Sequence, residues 1–218
     1  MKLLTTLFFL CLGLWAPPVL AAPSLGISPL MLHITPRDKA ATLTLTNGGD
    51  QPITLTVRVL RWTQAQGEDV LQPTTDVVAA PASVTLRPGA HQVVRLANLA
   101  LPSGAETAYR VLVTQVPSSD APGVRTLLQL SVPLFEGLLQ GAPRLTVTRD
   151  GDRLVLTNSG DVHARLTRVD YRDDAGWHTL AGLTYLLPGQ SRAFTAPGSL
   201  DLRYSSDDSP QPVILPAR

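Results

Sequence analysis

Apolar and polar residues alternate with a period of two along most of this chain, in short runs closed by Pro, Gly, Asn or Asp. Successive side chains of a strand point to opposite faces, so such alternation predicts half-buried β-strands. In the first half it places strands near 31–35, 41–46, 53–62, 82–86, 91–97, 107–116 and 124–134. In the second half it places them near 144–148, 153–157, 163–171, 177–180, 191–195, 199–204 and 212–215. Arg87-Pro88-Gly89, Asp150-Gly151, Asp173-Asp174-Ala175-Gly176 and Pro188-Gly189 mark turns between them. No window carries a helical period.

The pattern also repeats. "LTLTNGGDQPITLTV" (43–57) matches "LVLTNSGDVHARLTR" (154–168) at one constant offset. Leu43/Leu154, Leu45/Leu156, Asn47/Asn158, Gly49/Gly160, Asp50/Asp161 and Leu55/Leu166 coincide, and "LRPGAHQVVRL" (86–96) is echoed by "LLPGQSRAFTA" (186–196). Chance likeness between Thr/Leu-rich strands does not easily match turn residues too, so the repeat predicts one sandwich unit used twice. Each unit is a strand, an Asn/Gly/Asp turn and a second strand. About seven short strands per half predict an all-β chain of two immunoglobulin-like β-sandwich domains in tandem. The expected boundaries are 22–135 for the first domain and 138–218 for the second, with Glu136-Gly137 as the hinge.

Residues 1–21 read differently. Lys2 precedes an apolar run over 3–14, and Val19-Leu20-Ala21 supplies a small-residue cleavage pattern, which predicts a signal peptide cut after Ala21. The run is too short to cross a bilayer and is broken by Pro17-Pro18. The single cysteine, Cys11, lies inside that signal, so the mature chain is expected to have no disulfide and no thiolate metal site. A net charge of +1 offers no basic stripe for nucleic acid. No later run is apolar enough for membrane insertion.

Catalytic chemistry finds little footing. His33, His91, His163 and His178 are not at metal-ligand spacing, and there is no Gly-x-Ser-x-Gly elbow or phosphate-cradling glycine loop. Asp150-Gly151-Asp152 is explained by a two-residue hairpin turn, and Asp207-Asp208 by a solvated loop. An enzyme is not expected, and no cofactor is implied. An exported adhesion or carbohydrate-binding sandwich is the alternative reading. Sugar stacking needs aromatic rows, and aromatics make up only 5% of the chain, with Trp62 and Trp177 far apart.

"ISPLMLHIT", "LTLTNGGDQPITLTVRVLRW", "PASVTLRPGAHQVVRL", "ETAYRVLVTQVP" and "LLQLSVPLF" together resemble, in content and order, the periplasmic pilus-assembly chaperones of the chaperone–usher pathway, the PapD-like superfamily. "RVLRW" and "VPLF" look most like its archaic-type subgroup. The resemblance implies a periplasmic protein that binds pilin or fimbrial subunits by donor-strand complementation and delivers them to an outer-membrane usher. It implies that the last strand of the first domain lends side chains to a subunit whose own core is open along a groove. Leu128 and Leu130 are then the main donors, flanked on the same face by Thr126 and Val132, with Leu127 turned inward. The same leucines could instead fill this domain's own core. Better-known members hold the subunit's terminal carboxylate with two basic residues, and those positions fall here at Met31 and Pro133. The archaic-type likeness points to Arg110 as the anchor, with Arg95 second; Arg110 could equally be an exposed cross-strand partner.

Overall fold

A computed structural model describes residues 24–100, 105–117, 127–137, 141–199, 201–207 and 209–216. The signal-peptide reading and Thr126 lie outside the described residues. Two separate cores form, each between two sheets.

The first sandwich contains β1 (Leu25–Ser28), β2 (Leu32–Ile34), β3 (Ala40–Asn47), β4 (Ile53–Ala65), β5 (Glu68–Pro73), β6 (Val77–Ala80), β7 (Ser83–Leu86), β8 (His91–Asn98), β9 (Thr107–Val116) and β10 (Gln129–Glu136). One sheet has the order β1-β3-β8-β6; the other runs β2-β10-β9-β4-β5, with β7 pairing β4. The second sandwich contains β11 (Leu145–Asp150), β12 (Arg153–Asn158), β13 (Ala164–Asp173), β14 (Gly176–Ala181), β15 (Thr184–Leu186), β16 (Ser191–Thr195), β17 (Asp201–Ser206) and β18 (Ser209–Pro216). Its sheets are β11-β12-β16 and β14-β13-β17-β18, with β15 on β13.

The alternation read from the sequence is what fills these cores. Leu43 and Leu45 of β3, Val94 and Leu96 of β8, and Ile53, Leu55, Val57 and Val59 of β4 interdigitate with Val111, Val113, Val132 and Leu134. In the second core Leu154, Leu156, Leu166, Val169 and Leu202 do the same. The repeated Asn/Gly/Asp turn does not fold a hairpin back onto its own sheet: β3 and β4 lie in different sheets, as do β12 and β13. It is an arch over the core, and a polar amide there must satisfy buried backbone groups from both sides.

β4 carries the detail that organises the molecule. Its odd residues are buried up to Val59, after which burial shifts to Trp62 and Gln64 on the opposite face. The β4 ladders with β5 and β9 run without a bulge, so the change of buried face means that a second body covers the other side. That body is the second sandwich. Trp62, Ala108 and Phe135 on the outer face of the first domain pack against Tyr185 and Leu187 of the second, with Met31 beside them.

Candidate functional site

β10 is a strand with two halves. It pairs antiparallel with β9 along its whole length, from Gln129↔Thr114 to Glu136↔Thr107. On its other side β2 runs parallel to it, but only over Leu134↔Leu32, Phe135↔His33 and Glu136↔Ile34. Residues 129–132 therefore form an open sheet edge among the described residues.

The ladder fixes which groups that edge presents. Gln115 N–H donates to the Leu128 carbonyl at 2.9 Å, so Leu128 is a hydrogen-bonded partner of β9. Hydrogen-bonded and non-hydrogen-bonded positions alternate, so Leu130, Val132 and Leu134 also turn their backbone toward β9. Gln129 and Ser131 turn their N–H and C=O groups outward. Pro133, which has no N–H, turns its carbonyl the same way, to where the Leu134↔Leu32 bridge begins the pairing with β2. Gly137 N–H, in step with this series, donates to Ile34 O at 3.2 Å where β2 has taken over the edge.

Side chains follow the opposite logic. Leu128 and Leu130 are half-buried on the side of the strand that continues the core, in phase with Val132 and Leu134. Val132, 3% exposed, belongs to the chain's own core. Leu127 corrects the expectation that it would turn inward: it is 45% exposed on the outer face. Val132 and Leu134 set the phase, and a period of two then leaves no choice at 127 and 128.

Arg110 sits opposite Pro133 on that outer face, and the structure gives it company. Its guanidinium carbon lies 3.7 Å from the Trp62 ring centroid and 5.3 Å from that of Tyr185, and one guanidinium nitrogen is 3.6 Å from Asp69 Oδ2. The side chain is only 15% exposed. Burial pulls its pKa down, with the Asp69 carboxylate opposing, and a guanidinium stays charged under such a shift. Arg110 is therefore neither a freely solvated cross-strand partner nor a bare cation. Arg95 is placed elsewhere: it is exposed on β8, in the other sheet, and the fold does not bring it to Arg110 or to β10. Arg58, exposed on β4 opposite Leu112, shares the outer face with Arg110 and has no ion pair among the described residues.

The two domains are fastened by polar contacts that sequence reasoning missed. The Gln64 amide donates to Tyr185 O and to Asp69 Oδ1, both at 2.9 Å, and accepts Leu187 N–H at 3.0 Å. Glu106 accepts the backbone N–H of His163 at 2.7 Å and pairs with its ring Nδ1 at 2.9 Å. The His163 ring lies flat on Phe135, centroids 3.4 Å apart and planes within 4°. Beside this contact a cavity of about 510 Å³ opens between the domains, lined among others by Met31, His33, His163, Arg165 and Tyr204. Burial and the neighbouring His163 charge lower the pKa of His33, with Glu106 opposing. No group of His, Cys, Asp and Glu among the described residues could hold a metal ion. The only sequence signal for the interface was the buried-face shift inside "RVLRW".

The profile of the pili and flagellar-assembly chaperones, PapD N-terminal domain, matches residues 24–136, just over half of the chain. No curated protein sequence matches. Solved structures similar in fold include the CsuC–CsuE chaperone–tip adhesion subunit complex from archaic chaperone–usher Csu pili of Acinetobacter baumannii, with TM-score 0.71, 21% identity, and coverage of 88% of this chain and 97% of that one. The Salmonella enterica SafA pilin in complex with the SafB chaperone gives TM-score 0.70 and 18% identity over 88% and 96% of the two chains. The Escherichia coli chaperone DraB gives 0.69 and 18% over 90% and 98%.

Proposed function

This chain belongs to the pili and flagellar-assembly chaperones, and from that premise we propose that it holds a pilin or fimbrial subunit on the open edge of β10 in the periplasm, then passes it to an outer-membrane usher. The observation that carries the reading is the edge itself. An apolar strand with unpaired N–H and C=O groups at its sheet margin is an aggregation hazard that proteins ordinarily blunt. Here two consecutive outward positions, Gln129 and Ser131, are left able to pair, and the half-buried Leu128 and Leu130 lie beside them. A subunit lacking one strand would gain both ladder bonds and core side chains from such an edge. Two similar structures are complexes of a chaperone with a pilin or tip subunit, and CsuC–CsuE is of the archaic type to which we assign this chain.

Leu128 and Leu130 are the donors in this reading, with Thr126 extending the segment. Val132 contributes at the margin, because its side chain is already committed to the chaperone's own core. Arg110 is the anchor for the subunit's terminal carboxylate, which would approach over the outer face, where Arg58 adds a second guanidinium. Trp62 and Asp69 would hold Arg110's planar fork ready for a two-bond grip. Domain limits of 22–135 and 138–218 complete the proposal, after removal of the signal peptide.

The test is capture. Leu128→Ser with Leu130→Ser should leave the chaperone folded and unable to retain its subunit, each leucine costing roughly 1.5–3 kcal/mol of apolar burial in the complex. Co-purification of the subunit with the double variant at wild-type yield would remove the donor assignment.

A further inference from the structure

The geometry points to Glu106 and His163 as positioning residues for capture: together they clasp Phe135, at the far end of β10, and so set the angle at which the second domain stands over the open edge. This rests on the reading of β10 as the subunit-binding strand.

Three observations converge on the clasp. Glu106 immediately precedes β9 and His163 immediately precedes β13, so the contact joins the two domains at the roots of their central strands. The carboxylate takes two bonds from one residue, the backbone N–H and the ring Nδ1, with the Glu106 side chain 8% and the His163 side chain 11% exposed. A two-point bond fixes the rotation of the imidazole, which an apolar contact would leave free to slide. The fixed ring then lies on Phe135, and His33 flanks the stacked pair, its centroid 5.9 Å from Phe135 and 6.4 Å from His163.

The energetics argue for orientation rather than bulk stability. Glu106 is nearly desolvated, yet its only ion-pair partner among the described residues is His163. Apolar side chains of similar size would hold two bodies together at least as well, without the cost of burying a carboxylate. Neither Glu106, His163 nor Phe135 belongs to either sandwich core. Their contribution falls on how the domains sit, and Phe135 passes it along a stiff strand to Leu130 and Leu128.

The experiment measures subunit affinity, the melting of both domains and small-angle scattering for the full mature chain. It compares wild type, His163→Ala, Glu106→Leu, Glu106→Gln and the double variant His163→Ala with Glu106→Leu. His163→Ala and Glu106→Leu should each weaken subunit binding about tenfold and broaden the scattering-derived distance distribution, with melting unchanged. The double variant should be no worse than either single, since each already opens the clasp. Glu106→Gln, whose amide can serve both His163 bonds, should recover most of the affinity. Wild-type affinity in His163→Ala and Glu106→Leu, or a loss that follows a lowered melting temperature, would overturn the assignment. Leu128→Ser with Leu130→Ser in the same assay separates the two claims: it should lose capture with unaltered scattering. Normal capture by that variant would sink the donor reading while leaving the clasp's effect on scattering to stand or fall by itself.

Discussion

The two domains are locked by the same device and differ at their edges. In the first, the Asn47 amide donates to Gln51 O at 2.8 Å and Leu86 O at 3.1 Å, and accepts Gly49 N–H at 3.0 Å. In the second, Asn158 donates to Val162 O at 2.8 Å and Leu186 O at 3.0 Å, and accepts Gly160 N–H at 2.9 Å. Gly89 and Gly189 follow a proline at φ +72° in both, and their N–H groups bond to the carbonyls of Asn47 and Asn158 at 2.8 Å. The outer strands then diverge. β10, "QLSVPLFE", has one proline and an open apolar half, whereas its counterpart β18, "SPQPVILP", has three residues with no N–H to offer. One edge is closed by proline, as edge strands usually are, and the other is left able to pair. The shared lock builds a sandwich; the unshared edge is the feature on which the proposed function rests.

The shared lock can be broken on either side. Asn47→Ala and Asn158→Ala each leave buried backbone groups without partners and should each cost roughly 3–5 kcal/mol of the affected domain's stability, read by denaturant unfolding. If one domain tolerates the change, the two arches are alike in shape but not in load. Gly160 sharpens the contrast: a Cβ there would meet Ala142 O at 2.3 Å and Arg144 N at 2.6 Å, both backbone. Gly160→Ala should destabilise the second domain by roughly 3 kcal/mol. Gly48→Ala in the first arch, one residue before Gly160's counterpart Gly49, meets the Ser24 side chain, with Oγ at 2.9 Å, and the Ser24 carbonyl only at 3.5 Å, and should cost far less.

Much of this was legible in the sequence, and the exceptions have physical reasons. Strong alternation located β3, β8 and β12, each with one buried face, and also β4, β9 and β13, which bury one face over part of their length and both overall. β1, β5, β6 and β15 were not expected: β1, β6 and β15 have three or four residues, too few for a period of two to stand out in the sequence, and β5 is almost wholly exposed. The candidate strand over 124–134, of which 124–126 lie outside the described residues, appears as β10 from Gln129 to Glu136. Its alternation was visible; which leucine faced which way was not, because Leu127 and Leu128 look alike until Val132 and Leu134 fix the phase. Arg110 could be singled out as a fork on a central strand, but its aromatic enclosure depends on Tyr185, which comes from the other domain. No local pattern announces a contact of that kind.

Arg110 has an interdomain contact and a proposed anchoring role, and the two can be separated. Arg110→Ala removes a guanidinium stacked on Trp62 and should cost the free chaperone roughly 1 kcal/mol. If it also grips a carboxylate, subunit affinity should fall by a further ~2 kcal/mol or more, and amidating the subunit's C-terminus should then make no additional difference. Additive losses from the two changes would leave Arg110 as an interdomain residue only.

Two buried carboxyls, one in each domain, should respond oppositely to acid. Glu136, 4% exposed at the end of β10, has its pKa pushed up by burial, with Arg61 opposing and Asp76 adding. A raised carboxyl pKa means that the folded state binds the proton more tightly. That contribution is complete below the ordinary Glu range and is lost as pH rises through the elevated one. Asp170, 2% exposed on β13, would be raised by burial, but bonds from Arg168, Arg203 and Thr179 hold it below the carboxylate range. Its contribution is present above that range and is lost as pH falls through the depressed value. Glu136→Gln should therefore raise the melting temperature at pH 7 by roughly 2 °C and lose the advantage in acid. Asp170→Asn should lower it at pH 7 and matter least in acid. Melting both variants from pH 3 to 8 checks the signs.

Hydrogen exchange at four β10 amides reads the open edge directly. Leu130 and Val132 N–H groups face β9 and should exchange slowly with or without a subunit. Gln129 and Ser131 N–H groups face outward and should exchange freely in the isolated chaperone, then slow by at least ~100-fold in the saturated complex. Unchanged exchange at Gln129 and Ser131 on subunit binding would mean that no strand is added at this edge.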